Sequence, residues 1–458
     1  GSVTIGEQTF YYTYNKPDNY TETSTRVNNT LVTADVDKKV FTGITGTADG
    51  GAIYIYNQNY SNINIQSDFI GNYSSGIGGG IYNYSDSTIG DIIGDFISNY
   101  AGRGGAIFNM YSAAIGNISG NFINNNAKTG GAISNHFATI GDITGNFIGN
   151  YASGMYSEEG GAIYNCNSTI GDITGDFIGN YVQNASGPST LSGGAIYNYS
   201  NSTIGNITGD FISNYTYSSA SNSHGGAIDN YNNSTIGDIT GDFINNYAKG
   251  TFASGGAISN TRESIIGNIT GDFIGNYAQA TSSDASGGAI YNNGPITNIV
   301  NSNFINNYVR GNEESKGGAI YNGGADLLIT ADNGTSLFDG NKVNGESNAI
   351  YMNSSELNLS SLNNGTITFN DAIDGETYNI NISGDGTGVV KFNNIVNHVT
   401  NFTLGANSIT HLGLNSKVYA QNMNVASSSI ITPGDVSSPI ITVDVEVDKA
   451  NNTVNTGQ

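Results

Sequence analysis

The sequence predicts an all-β protein, a parallel β-helix with three short strands in each coil. Two observations carry this. The tetrapeptide GGAI occurs nine times, starting at Gly50, Gly104, Gly130, Gly160, Gly193, Gly225, Gly255, Gly287 and Gly317, with GGGI at Gly78 and SNAI at Ser347 as degenerate copies. Ten F-x-x-N tetrapeptides alternate with them, at Phe69, Phe96, Phe122, Phe147, Phe177, Phe211, Phe243, Phe273, Phe304 and Phe338. The period of 26 to 33 residues is that of a solenoid or propeller, not of independent domains.

Within one repeat the choice is between helix and strand. The stretch IGDITGDFIG (170–179) places apolar residues at i, i+3, i+7 and i+8, as an amphipathic helix would. Gly171, Gly175 and Gly179 decide against it, since each costs a helix roughly 1 kcal/mol relative to Ala. Short β-rich pieces between Gly, Asn, Asp and Ser turns fit better: GAIYN, then TIGDI, then DFIGNY. Stacking such coils ~4.8 Å apart sets each residue on its own equivalent. Ile163, Ile196, Ile228 and Ile258 form one predicted core column, and Phe177, Phe211, Phe243 and Phe273 another. Burying each side chain is worth ~1.5–3 kcal/mol. The paired Gly suits a corner needing positive φ. Asn165, Asn198, Asn230 and Asn260, with Asn180, Asn214, Asn246 and Asn276, are read as amide ladders that satisfy turn backbone without charge, a structural role rather than a ligand-binding one.

The ends differ. Residues 1–49 lack both motifs and are expected to cap the first coil and lead into it, because an open β-helix end is an exposed edge. Residues 50–350 are the repeat array. Residues 351–458 keep alternation (GTITF, YNINIS, VVKFNNI, IITVDVEV) but lose the motifs. They are expected to be less regular coils leading toward a membrane anchor that is missing here, with a separate β-sandwich as the alternative.

Composition narrows the function. The net charge of −23 argues against nucleic acid and anionic membrane surfaces as partners. Only 11% of residues are charged, and Ile, Phe and Tyr recur too regularly for a disordered chain. Cys166 is the single cysteine, so no internal disulfide forms, and no Cys/His spacing suggests a metal. No run of 18 apolar residues exists to span a membrane as a helix. The Gly1-Ser2 start reads as a processed or appended end, so a targeting segment is expected to have been removed.

The interleaved GGAI and F-x-x-N motifs resemble the passenger domains of the chlamydial polymorphic membrane proteins, which are autotransporters. The resemblance covers roughly residues 50–350. It implies a right-handed β-helical passenger on a bacterial surface, outer-membrane-attached or secreted, that acts in adhesion to a host protein or glycan. Departures are the absent translocator barrel, the scarcity of cysteine and the STIGDITGD insert. The architecture carries over; the host target does not.

The repeats vary in one arc. From each GGAI-type Ile to the next Phe the separations are 16, 15, 15, 14, 14, 15, 15, 15, 14 and 18. From each Phe to the next such Ile they are 12, 11, 11, 16, 19, 17, 15, 17, 16 and 12. Insertions in a repeat protein map to loops on one face, often the binding face. The residues expected to form that corner are Met155, Tyr156, Glu158, Glu159, Val182, Gln183, Tyr217, His224, Phe252, Arg310 and Glu313. Neutral drift is the competing reading, since loops lengthen cheaply.

Other features are weighed against plain structure. Two acid columns, one running Asp68, Asp95 to Asp272 before each Phe and one running Asp91, Asp142 to Asp238, would repel by roughly 0.9 kcal/mol per step in water. Interspersed Asn relieves this, and bound calcium is the one cofactor that could. Thr169, Thr203 and Thr235 stack as ice-binding arrays do, but Ala114 and Ile265 break the column. Tyr164, Tyr197, Tyr291 and Tyr321 read as outer strand faces before a sugar-stacking strip. Cys166 reads as a variable-face residue, not a nucleophile. His136, His224, His398 and His411 are isolated, and the acids follow the repeat where an active site would break it, so the chain is not read as an enzyme. Three classes remain: a surface adhesin or receptor ligand that binds through the loop corner, with self-association as a further partnering mode; a passive stalk or surface-layer component; and a polysaccharide-degrading enzyme. The uneven loops favour the first.

Overall fold

The computed structural model describes residues 50–433 except 62–63, 155–158, 185–188 and 415. Before and after these it describes Phe41, Gly43 and the backbone pairing of short strands at Ser2–Ile5, Gln8–Tyr11, Val27–Asn28, Lys39–Thr42, Thr45–Gly46, Val447–Asp448 and Thr453–Val454. The described residues form no helix; they coil into a parallel β-solenoid, each coil paired in register with the next.

The three predicted segments lie where the sequence places them. GAIYN forms Ile163–Cys166. TIGDI divides into Thr169–Ile170 and Ile173–Thr174 about the Gly171-Asp172 pair. DFIGNY divides into Phe177–Ile178 and Tyr181–Asn184. A sixth short piece, Leu191–Ser192, exists only in the coils with long insertions, where it pairs upward with Ser223–His224, Ala253–Ser254 and Ala285–Ser286. In Ile265–Thr270 the second and third pieces run together as one strand.

A regular coil of the array turns five apolar side chains inward; in one coil they are Ala162, Ile163, Ile170, Ile173 and Phe177, all fully buried. The Phe rings stack face to face from Phe41 through Phe392, and the array pairs Phe177–Phe211 and Phe211–Phe243 sit 4.8 and 4.7 Å apart, 1° from parallel. At the GG corner the two glycines do different work. Gly160 takes φ +62°, and a Cβ on Gly161 would collide with the Gly194 carbonyl oxygen of the next coil.

Both Asn ladders form. The Asn180 side-chain amide donates to the Phe147 carbonyl below at 2.8 Å and to Asn214 Oδ1 above at 3.0 Å, and its backbone N–H donates to that same Oδ1 at 2.9 Å. Asn165 donates to Asn198 Oδ1 at 2.9 Å and to the Thr203 carbonyl at 3.1 Å. All are fully buried, so an unpaired amide would leave donors without water. The first ladder ends on Asp371, whose carboxylate accepts from the Asn341 amide at 2.8 Å; the second ends on Ser355. The acid columns have a related use. Asp172 Oδ1 accepts the Asn206 backbone N–H at 2.7 Å, and Asp176 Oδ1 accepts that of Asp210 at 2.9 Å. Asn accepts equally well there, which explains why the two alternate without consequence for the fold.

Strands on either side of the array belong to the same solenoid. Lys39–Thr42 pairs in parallel with Ser67–Ile70, and Phe41 stacks on Phe69. Beyond the array, Glu356–Leu362, Tyr378–Gly384, Ile395–Leu404 and Lys417–Val425 continue the parallel stack, so the β-sandwich alternative is overturned as far as residue 433.

Candidate functional site

The insertion arc is more ordered than its composition suggests. The fifth and sixth pieces of successive coils face each other and enclose a second, narrow core: Ala152, Val182 and Leu191 in the lower coils, then Ala248, Ala253, Ala278, Ala285 and Val309. This corrects one expected binding residue. Val182 is fully buried between Ala152 and Thr216 in the parallel register and offers nothing to a partner. Its neighbour Gln183 points outward. Gln183, Tyr217, Lys249, Gln279 and Arg310 are register partners in one outward column. Lys249 Nζ stands 5.7 Å over the Tyr217 ring, and the Arg310 guanidinium 5.8 Å over Tyr308. Glu313 is exposed, three residues past the end of that last strand. Phe252 packs its ring 5.8 Å from His224. Met155, Tyr156 and Glu158 lie outside the described residues.

Beside that column runs a stack of tyrosines that the sequence reading did not single out. Tyr151, Tyr181, Tyr215, Tyr247, Tyr277 and Tyr308 stack at 4.7 to 4.9 Å, within 5° of parallel. Their ring faces are occupied by one another, so only edges and hydroxyls reach solvent, and the stack is no platform for a sugar ring.

The most individual chemistry lies on the outer face of the GAIYN strands and on the residue before each GG pair. The latter forms a rim that reads Arg103, Thr129, Glu159, Ser192, His224, Ser254, Ser286, Lys316 in parallel register. Glu159 and His224, both expected at the loop corner, therefore lie on this rim, two coils apart with Ser192 between them. The floor beside it is the outward residue after GGAI: Tyr82, Phe108, Ser134, Tyr164, Tyr197, Asp229, Ser259, Tyr291, Tyr321, Tyr351. Two positions on, the column reads Tyr84, Met110, His136, Cys166, Tyr199, Tyr231, Thr261. Tyr164, Tyr197, Tyr291 and Tyr321 are thus outer strand residues, as expected, but the floor is packed: Tyr197 keeps 6% of its surface. Cys166 is buried in this variable column and burial raises its thiol pKa.

Asp229 breaks the floor. It stands where neighbouring coils carry Tyr or Ser, retains 2% of its surface, and its Oδ1 has no hydrogen-bond partner. Burial pushes its pKa up to about 6, against a smaller opposing effect of the Ser192 and Ser259 hydroxyls. Burial and the Asp229 charge together raise the Tyr197 hydroxyl pKa. His224 on the rim, half-buried and bonded through Nδ1 to Ser254 Oγ, is lowered to about 4 by burial. Lower down, burial and the Arg103 charge lower the His136 pKa, and Thr129 Oγ1, Ser134 Oγ and His136 Nδ1 are buried without partners. The sequence carried a signal for Asp229, since IDN replaces IYN in one coil alone of the array. Asp229 is an acid that departs from the repeat.

Among the described residues no three His, Cys, Asp or Glu side chains converge as metal ligands, and no helix is long and apolar enough to cross a membrane. The chain matches no protein-family description, no curated protein and no solved structure. None of these comparisons links the chain to the polymorphic membrane proteins.

Proposed function

We propose that this chain is the passenger part of a bacterial surface protein, displayed outside the cell, that binds a host protein or glycan through the side bearing the rim, the floor and the insertion arc. One observation supports this above the rest. The core, the Asn ladders and the Thr/Asp face repeat from coil to coil, while chemical individuality collects on one long side. There the rim alone passes through Arg, Thr, Glu, Ser, His and Lys. A stalk gains nothing from such variety, and drift would scatter it over every exposed column. Arg103 and Arg310 are exposed on that side and Tyr217 and Phe252 half-buried beside them, residue types that anchor interfaces.

The test is binding of the purified chain to an array of host ectodomains and glycans, beside a variant whose six long insertions are cut to the length of AGRGG. Binding lost in the variant supports an adhesin acting through this side. Binding by neither protein leaves the passive stalk, for which the uniform core is sufficient. An enzyme of the lyase or glycosidase kind needs paired acid and base groups in a cleft; Asp229 supplies one such group, and release of reducing ends from a polysaccharide panel would revive that reading.

A further inference from the structure

We propose that an open cleft across the last coils of the array and the first coils beyond it binds a small neutral saccharide, one or two sugar rings in size. None of its lining residues belongs to the rim, the floor or the insertion arc, so it is a second site, independent of the binding side. Four observations carry it.

The first is the cleft itself. It encloses about 330 Å³ along the row Asp326, Glu356, Asn379, Asn401, with Ser354 and Thr400 beside the row. Small-molecule sites span about 300–1,000 Å³, so this one suits a short ligand. It is open to solvent, since Asp326 and Ser354 are exposed.

The second is backbone irregularity at two points in the lining. Ser354 takes φ +134°, whereas every other described non-glycine residue at positive φ lies between +47° and +62°. Such conformations are costly and collect at ligand sites. In Ile395–Leu404, Val399 pairs with Tyr378 and Asn401 with Asn379, so Thr400 is an extra residue. A bulge of this kind re-aims side chains beside a site.

The third is a row of oriented polar groups with capacity to spare. Asn401 donates to Asn379 Oδ1 at 2.8 Å, and Asn381 donates to Glu356 Oε2 at 3.1 Å. Asp326 Oδ1 accepts the Glu356 backbone N–H at 3.0 Å. A carboxylate accepts about four hydrogen bonds and an amide nitrogen donates two, so the row retains both acceptors and donors. A sugar hydroxyl donates and accepts at once, and a mixed row serves it.

The fourth is charge. Asp326 and Glu356 are the charged residues of the lining, and no Lys, Arg or His joins them. With a net charge of −23 behind them, they repel sialylated or sulfated sugars. No third acid, His or Cys converges on the pair, which favours a hydroxylated ligand over a bare divalent ion.

The test is NMR titration of the full chain with glucose, galactose, mannose, N-acetylglucosamine, lactose and cellobiose, and separately with sialic acid and with calcium chloride. Three variants accompany it. Asp326→Asn keeps the Oδ1 acceptor and removes one charged oxygen. Thr377→Phe fills the cleft from an exposed lining position. Thr240→Phe makes the same change on the uniform Thr face. The expected result is that at least one neutral sugar shifts the amides of 354–356 and 377–379 saturably. Its binding should weaken about ten-fold in Asp326→Asn, as loss of a charge-assisted hydrogen bond predicts. It should vanish in Thr377→Phe and persist in Thr240→Phe. No neutral sugar shifting these amides, sugar binding retained in full by both cleft variants, or equal binding of sialic acid overturns the proposal. Shifts produced by calcium and by no sugar make the cleft a cation site and overturn it too. None of these outcomes touches the binding side, which the cut-insertion variant tests on the host array.

Discussion

Asp229→Asn should stabilise this protein at neutral pH and leave it unchanged in acid. The carboxyl is buried, so its folded pKa of about 6 stands above the ordinary 3.8. A raised pKa means the folded state prefers the protonated acid. Its contribution is fully present below pH ~4 and is lost as the pH rises through 6. The difference of about 2.2 pH units, at 1.36 kcal/mol each, makes the ionised group about 3 kcal/mol destabilising at pH 7. Asparagine keeps the shape and carries no charge. The groups facing Asp229 are the Ser192 and Ser259 hydroxyls and the Tyr197 phenol, none of which ionises between pH 4 and 7, so the difference between the two proteins isolates one carboxyl. The assay is urea unfolding of both proteins across that range, with hydrogen exchange at the amides of 228–231 as a local readout. Stabilities that coincide near pH 4 and diverge by about 3 kcal/mol at pH 7 are expected. A gap constant to within about 0.5 kcal/mol over the whole range would refute the claim that burial sets this pKa.

The columns make further demands. Phe211→Ala removes a fully buried ring stacked at 4.8 and 4.7 Å on two neighbours and should cost about 3–5 kcal/mol in denaturant unfolding. Asn214→Asp keeps the shape but cannot donate to the Phe177 carbonyl or to Asn246 Oδ1, and it buries a charge; a loss of about 3 kcal/mol or more at pH 7, reduced in acid, is expected from the same measurement. Melting curves in calcium and in chelator should coincide, because Oδ1 of the acid columns is engaged by backbone N–H groups of the next coil; a melting point raised by calcium would show that their remaining oxygens bind the ion.

The order of the repeat was legible because its chemistry is local and reiterated. In a stack that sets each residue on its own equivalent, one coil's pattern states the contacts of every coil. The repeat alone therefore assigns Ile163, Phe177, Asn165 and Asn180 to core and ladder, and each lies there. The outward alternation of GAIYN likewise announced that its tyrosines face away from the main core.

The sequence by itself could not decide what the insertions do or which outward residue lies next to which. Val182 looks like a loop residue, yet it is buried in a second core that forms only when Leu191, beyond the end of its own strand, folds back against it. Glu159 and His224 are far apart in the chain and share one rim, with Ser192 between them, because coils of unequal length still stack at the GG corner. Asp229 was visible as a departure from its column, but its burial and its unpaired oxygen depend on side chains from three coils. Column membership follows from periodicity and is written in the chain; proximity between columns, and the desolvation it brings, is a property of the closed coil, so the tertiary structure alone decided it.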